Sequence, residues 1–247
     1  MRSVWFARSW ATTLGCWDLR EQRLVTNFLA NPVKAEFVSN GKSVLTDWNI
    51  RGKGFTEWDI ATWQPRRQWQ PFTNIIFWAY SPSADLVGMA SMYRDGACAL
   101  VPIRDPDKER RFTGQTRIES VAFSPDGKTF AAASHDGTVE LWDTETLTRQ
   151  ALLRGVVDSG FSSVTFSPDG QRVMAGGDGK EAIKLWDLHS HEDVATLTGE
   201  GRFFFAKFSP DGNTIAAQNG KGLLHVWTAP AWEQIEAAEK GRGAASP

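Results

Sequence analysis

Apolar residues along this chain recur on two periods at once. Over short stretches they alternate. In residues 138–143, Val139 and Leu141 fall on one side of an extended backbone and Glu140 and Trp142 on the other. Over long stretches the alternating segments themselves repeat. Val121-Ala122-Phe123-Ser124-Pro125-Asp126-Gly127 opens a unit that closes on Leu141-Trp142-Asp143. Residues 164–170 (Val-Thr-Phe-Ser-Pro-Asp-Gly) open a second, closing on Leu185-Trp186-Asp187. Residues 206–212 (Ala-Lys-Phe-Ser-Pro-Asp-Gly) open a third, closing on Val226-Trp227-Thr228. Period-2 patterning inside a fixed longer period predicts strands throughout, arranged as copies of one unit.

The closing positions are Trp17, Trp58, Val101, Trp142, Trp186 and Trp227, spaced 41 to 44 residues apart. Each unit has the same order: an apolar strand, a Ser-Pro-Asp-Gly turn, a second apolar strand, a Gly-containing turn, and a third strand ending in Trp-Asp. A polar-flanked segment such as 148–153 supplies a fourth strand. Pro presets φ at the first central turn position, and Gly after Asp accepts the left-handed geometry that closes the hairpin.

Four short strands per unit, closing on Trp-Asp, resemble the WD40 family. The resemblance covers residues 3–236 and is most specific around Trp142 and Trp186. The unit at residues 35–59 keeps Trp58-Asp59 but has Val38-Ser39-Asn40-Gly41 for its turn, and the unit at 75–102 ends on Val101-Pro102. What the resemblance implies is an all-β fold, a β-propeller of four-stranded blades: a partial first blade at 1–28, then five complete ones at about 29–69, 70–112, 113–153, 154–197 and 198–236. A flexible tail at 237–247 follows. The Gly-His that usually precedes the first strand is missing, and Thr113-Gly114 and Thr198-Gly199 stand in its place. Of that buried network only Ser134, Asp136 and Trp142 remain. Blades held mainly by apolar packing are therefore expected, with twelve Trp and fifteen Phe to fill them.

The amino-terminal segment is the irregular one. Residues 3–18 align without a gap on 128–143, so Trp5 falls on Phe130 and Trp17 on Trp142. The first unit thus begins at its second strand. The expectation is the C-terminal part of a longer polypeptide that supplies the inner strand. The alternative is an open or irregular six-bladed ring. The repeats also resemble bacterial WD40 arrays that follow a serine/threonine kinase or another signalling module, which implies a fused domain upstream.

Charge and composition narrow the function. Net charge is −2, so no basic field argues for nucleic acid. No apolar run approaches the ~20 residues of a membrane helix, and no membrane partner is expected. Cys16 and Cys98 fall at strand positions that face a core, which suits reduced thiols and a cytoplasmic setting. Ser134-His135-Asp136 has the letters of a catalytic triad, but three consecutive residues cannot converge on one reacting atom. His189-Ser190-His191-Glu192-Asp193 reads as a solvated turn rather than a metal site. Asp178-Gly179-Lys180 lacks phosphate-loop spacing. Residues 104–111, of mixed charge, read as a solvated edge. No cofactor, metal or catalytic residue is expected. The resulting expectation is a protein-interaction scaffold; the alternative is an enzyme or small-ligand binder using the axial channel. In a propeller, the loops entering the inner strands and the turns between strands two and three gather on one face. Asn74, Arg94, Arg117, Glu119, His135, Arg202 and Phe204 occupy those positions and are the candidate partner contacts.

Overall fold

The computed structural model describes residues 4–8, 14–18, 20–28, 34–47, 54–71, 75–91, 95–155, 160–178 and 181–229. They form six antiparallel sheets. Sheet 1 holds β1 (Val4–Arg8), β2 (Leu14–Asp18) and β3 (Arg23–Phe28). Sheet 2 holds β4 (Ala35–Val38), β5 (Ser43–Asp47), β6 (Phe55–Asp59) and β7 (Pro65–Trp69). Sheet 3 holds β8 (Ile75–Ser81), β9 (Leu86–Ser91), β10 (Ala97–Pro102) and β11 (Arg110–Thr113). Sheet 4 holds β12 (Ile118–Phe123), β13 (Thr129–Ser134), β14 (Thr138–Asp143) and β15 (Arg149–Arg154). Sheet 5 holds β16 (Phe161–Phe166), β17 (Arg172–Gly177), β18 (Glu181–Asp187) and β19 (Asp193–Thr198). Sheet 6 holds β20 (Phe203–Phe208), β21 (Thr214–Asn219) and β22 (Leu224–Thr228). The outer strand expected at residues 232–236 and the tail at 237–247 lie outside the described residues.

Register repeats with the sequence period. Phe130 pairs with Trp142, Val173 with Trp186, Ile215 with Trp227, Val44 with Trp58 and Val87 with Val101. Trp5 pairs with Trp17, the pairing expected from aligning 3–18 on 128–143. Each closing Trp in sheets 1, 2, 4 and 5 sits at a bulge against the following strand. The inner strands of sheets 3 to 6 each carry another near their start. These repeated bulges add twist at the same places in successive sheets.

The turns show why Ser-Pro-Asp-Gly recurs. Gly127 has φ 75° and its N–H donates to Ser124 O at 2.9 Å. Ser124 Oγ donates to Asp126 Oδ1 at 2.6 Å and accepts from Thr129 N at 2.9 Å. The turns at Ser167 and Ser209 repeat this pattern. The Asp of Trp-Asp has its own task. Asp143 Oδ1 accepts from the N–H groups of Glu145 and Thr146 at 2.9 and 2.7 Å, closing the turn into β15. Asp18, Asp59 and Asp187 do the same in their sheets.

Successive sheets pack face to face. β12 lies against β8, β16 against β12 and β20 against β16. The core between sheets 4 and 5 joins Ala131, Val139 and Leu141 to Phe161, Val164 and Trp186. Trp142 is buried between sheets 3 and 4, against residues such as Leu100 and Ile118. Sheet 1 packs on sheet 2 through Cys16 and Val44. A radial array of such sheets, each covering the next, is a β-propeller.

Apolar packing is joined by polar ties that the sequence left unassigned. In sheet 4, Glu140 replaces the missing His: its Oε2 accepts from Trp142 Nε1 at 3.1 Å and from Gln115 N at 2.9 Å, and its Oε1 pairs with Arg149 at 2.8 Å. In sheet 2, Thr46 Oγ1 accepts from Trp58 Nε1 at 2.8 Å. In sheet 6 the His225 ring stacks on Trp227. Lys184, buried at the Glu140 position of sheet 5, pairs with Asp193 on β19. Of the expected partial network, Ser134 donates to Thr116 O and Asp136 closes the turn onto Thr138.

Residues 104–111 are more than a solvated edge. Arg110 donates to Thr144 O and Glu145 O of sheet 4 at 2.7 and 2.8 Å. Arg67 of sheet 2 donates to Ile103 O and Arg104 O. This segment ties its sheet to both neighbours.

Candidate partner-binding rim

The turn between the second and third strands folds back, in three sheets, onto the residue that precedes the inner strand. His135 N donates to Arg117 O at 3.1 Å, Asp178 N to Gly160 O at 3.1 Å and Gly220 N to Arg202 O at 2.8 Å. Entry loops and inter-strand turns therefore converge at one end of these sheets, as the sequence positions require. The Ser134 hydroxyl, the Asp136 carboxylate and the His135 backbone N–H are engaged in this strand-to-turn geometry.

Arg202 organises this rim. It precedes β20, yet its Nε donates to Ser162 Oγ on β16 at 2.6 Å and its Nη2 pairs with Glu119 on β12. One side chain thus spans three successive sheets. Its guanidinium also lies 5.1 Å from the ring centre of Phe204, in cation–π geometry. Phe204 is 41% exposed, not a core residue, because the bulge between Phe203 and Phe205 turns it outward while Phe203 is fully buried. Arg117 is exposed, with φ 56°, and His135 is half-buried beside it.

The structure thus brings Glu119, Arg202 and Phe204 together and places Arg117 next to His135. Asn74 and Arg94 lie outside the described residues. One participant was missed in the sequence. Ser162 carried no signal, being one serine among several. Further along the same strand, Lys207 stands where sheet 4 has Ala122. It is solvent-exposed, but surrounding protein desolvates its ammonium and Lys34 of sheet 2 repels it, which lowers its pKa.

Little on this surface is reactive. Both cysteines are buried and free. Burial first, then the nearby Asp18, pushes the Cys16 thiol up to about 12. Burial and then Glu140 push Cys98 up to about 12 as well. Such thiols stay protonated and make poor nucleophiles. His189 and Ser190 donate their N–H groups to Asp187, so residues 188–192 form the turn into β19, which begins at Asp193. Residues 179–180 of Asp178-Gly179-Lys180 lie outside the described residues. Among the described residues no helix is long and apolar enough to cross a membrane.

Comparison with known proteins fits this architecture. The family model "WD domain, G-beta repeat" matches residues 107–143 and 151–187, the two units with the most regular turns and closing Trp-Asp pairs. The chain is 32% identical over 119 residues to the small ribosomal subunit protein RACK1y of Oryza sativa subsp. japonica, covering 44% of this chain and 34% of that protein. It is 35% identical over 82 residues to WD repeat-containing protein 1 of Gallus gallus, covering 32% of this chain and 13% of that one. The matches thus span about a third and about an eighth of these relatives' lengths. Repeat period, register, turn chemistry and family match agree over this part of the chain: residues 107–143 and 151–187 are two repeats of the "WD domain, G-beta repeat" type, and the other sheets share their strand order and register.

Proposed function

We propose that this chain is a non-catalytic protein-interaction scaffold that engages a polypeptide partner through the rim built on Arg202. The observation that carries the reading is the Arg202–Phe204 pair. Glu119 and Ser162 hold the guanidinium in place, so little side-chain entropy remains to be lost on binding. Beside it stands a half-exposed aromatic ring. Arginine and aromatic residues held rigidly at a surface are the usual anchors of protein interfaces. Arg117 and His135 extend the surface, with Asn74 and Arg94 assigned to it from sequence position. WD-repeat relatives add support for a binding role, and a net charge of −2 gives no reason to invoke nucleic acid.

The finer reading has residues 1–236 as one propeller, carried in the cytoplasm as the C-terminal part of a longer bacterial signalling polypeptide with a kinase-like domain upstream. Its support is the wording of the repeats and, for the compartment, two buried free thiols. Cross-linked affinity capture from source cells tests the rim. A polypeptide should be retained by the wild-type chain and lost with Arg202→Glu or Phe204→Ala, both folded by circular dichroism. An unchanged set of captured proteins would refute it.

A further inference from the structure

Asn219 ends β21, is 3% exposed and engages both polar atoms of its side chain. Its Oδ1 accepts from Lys221 N and Leu223 N at 3.1 and 3.0 Å. Backbone N–H groups only donate, so the amide oxygen must face them and Nδ2 must face the other way. Nδ2 donates to Glu200 O at 3.1 Å, on the loop entering β20, and lies 3.3 Å from Nε2 of His225 on β22. Facing a donor, Nε2 holds that bond only as an acceptor, so the imidazole is neutral and its proton sits on Nδ1. Asn219 is also the hub of the turn beneath the rim. Its N–H donates to Leu223 O, Gly222 N donates to Asn219 O, and Gly220 N donates to Arg202 O at 2.8 Å. Gly220 lies against the Phe204 ring as well: a Cβ there would stand 3.2 Å from Phe204 Cε2. The turn thus supports both members of the Arg202–Phe204 pair.

Two residues before the closing Trp, sheets 4, 5 and 6 carry Glu140, Lys184 and His225. Of these three side-chain types, imidazole is the one that ordinarily changes charge between pH 5 and 8. The His225 ring is held in place, stacked on Trp227 at 5.7 Å and meeting the Phe203 ring edge-on at 5.0 Å. Turning it over in its plane offers Asn219 a C–H or a second N–H, never an acceptor, once both nitrogens carry protons. An imidazolium keeps the stack on Trp227 as a cation–π contact, so the conflict falls on Asn219. The charged groups nearby are engaged elsewhere. Glu200 and Lys221 pair with each other at the surface. On sheet 5, Ile183 and Leu185 face sheet 6, while Lys184 pairs with Asp193 on the opposite face, and Arg172 and Asp187 pair at the far end. The side chain of Glu181 lies outside the described residues. Arg202 reaches away to Ser162 and Glu119, and Lys207 stands on the other face of β20 from Ala206 and Phe208. We propose that the Asn219–His225 pair is a pH switch for the rim. Protonation of His225 removes the acceptor, opens the 219–223 turn and frees the loop that positions Arg202, so the rim holds its partner at neutral pH and releases it in acid. Opening accompanies proton uptake and is therefore favoured as pH falls. The release step rests on the rim being the partner site; the opening of the turn does not.

Amide exchange of the full chain, resolved by nuclear magnetic resonance and corrected for intrinsic rates, tests the switch at about pH 7.5 and about pH 5.5. Protection of Gly220, Lys221 and Leu223 should fall about tenfold or more in acid. That of Thr138, whose N–H is held by Asp136 in the equivalent turn of sheet 4, should not change. His225→Gln offers Asn219 an amide oxygen that does not titrate, and should keep the turn equally protected at both pH values. His225→Phe keeps an aromatic ring without an acceptor, and should leave the turn open at both. Matching far-ultraviolet spectra keep misfolding apart from opening. Imidazole nitrogen spectra of the wild type should show Nε2 unprotonated at neutral pH. Wild-type protection that does not change in acid would overturn the proposal, as would an equal change in His225→Gln or a proton on Nε2 at neutral pH. For the release step, polypeptide captured at neutral pH should be lost in acid by the wild type and kept by His225→Gln. A turn that opens while capture persists would overturn the link to the rim. Failure of the rim reading itself looks different: capture indifferent to Arg202→Glu, with the turn still opening in acid.

Discussion

The carboxylate of Glu140 provides the sharpest test of how the sheets are tied. It is 1% exposed and accepts three hydrogen bonds, from Trp142 Nε1, Gln115 N and Arg149 Nη1. Glu140→Gln keeps the shape. Its carbonyl oxygen can still serve Trp142 and Gln115, but its amide then faces the Arg149 guanidinium, donor against donor. Arg149 is half-exposed and can turn into water, so the cost stays at about 1.5 kcal/mol, the lower end of the range for a hydrogen bond to a charged group. Glu140→Ala is worse. It leaves the buried indole N–H and the Gln115 N–H without their acceptor, at about 1–3 kcal/mol for each unsatisfied donor, while Arg149 turns to water. Urea unfolding followed by both tryptophan fluorescence and circular dichroism reads these values from midpoint shifts at constant slope. A double-mutant cycle of Glu140→Ala with Trp142→Phe should show coupling of about 1 kcal/mol or more, because the two share one bond. A loss below about 0.5 kcal/mol for Glu140→Ala, or no coupling, would refute the role given to this carboxylate.

Three further outcomes are expected. Trp142→Ala should cost about 3–5 kcal/mol, as for a large buried aromatic, while His189→Ala in its exposed turn should be near neutral; denaturant midpoints in the reverse order would count against the register. Gly88→Ala should destabilise by about 1–3 kcal/mol, since a Cβ there would lie 2.7 Å from Phe123 Cζ and collide with the Phe130 ring; an unchanged thermal midpoint would contradict that packing. Stability should also fall in acid. The Asp126 pKa is lowered first by the Ser124 hydroxyl and then by Lys128 N–H, and that of Asp143 first by Thr146 N–H. Depressed carboxylates contribute stability that is present above their unfolded pKa of about 3.9 and is lost as pH falls through the lower folded values. Midpoints measured from pH 5 down to 2 should therefore drop, less steeply for Asp126→Asn than for the wild type, and parallel profiles would contradict the assignment.

Much of this architecture was legible because it is written locally. Ser-Pro-Asp-Gly carries its own turn chemistry, and Trp-Asp marks both a third strand and the turn that follows. The alignment of 3–18 on 128–143 fixed the pairing of Trp5 with Trp17. What was not legible depends on which sheet faces which. Glu140 reads as a solvent-side residue in an alternating strand, and only the approach of Gln115 and Arg149 makes it a buried acceptor. Arg67 and Arg110 look like surface charges until the neighbouring carbonyls are placed. The rim was legible as a set of positions, but the grip of Arg202 on Ser162 and Glu119, 40 and 83 residues away, belongs to the packing of three sheets.

The central claim is that the chain is an array of sheets stabilised by their neighbours, in which sheet 1 has three strands among the described residues. Amide hydrogen exchange of the full chain, read by mass spectrometry, tests it most directly. Units flanked on both sides open last, and a sheet with an unpaired edge opens first. Residues 118–198 should be the slowest to exchange and residues 4–28 the fastest of the strand segments. Uniform protection across both regions would contradict the account.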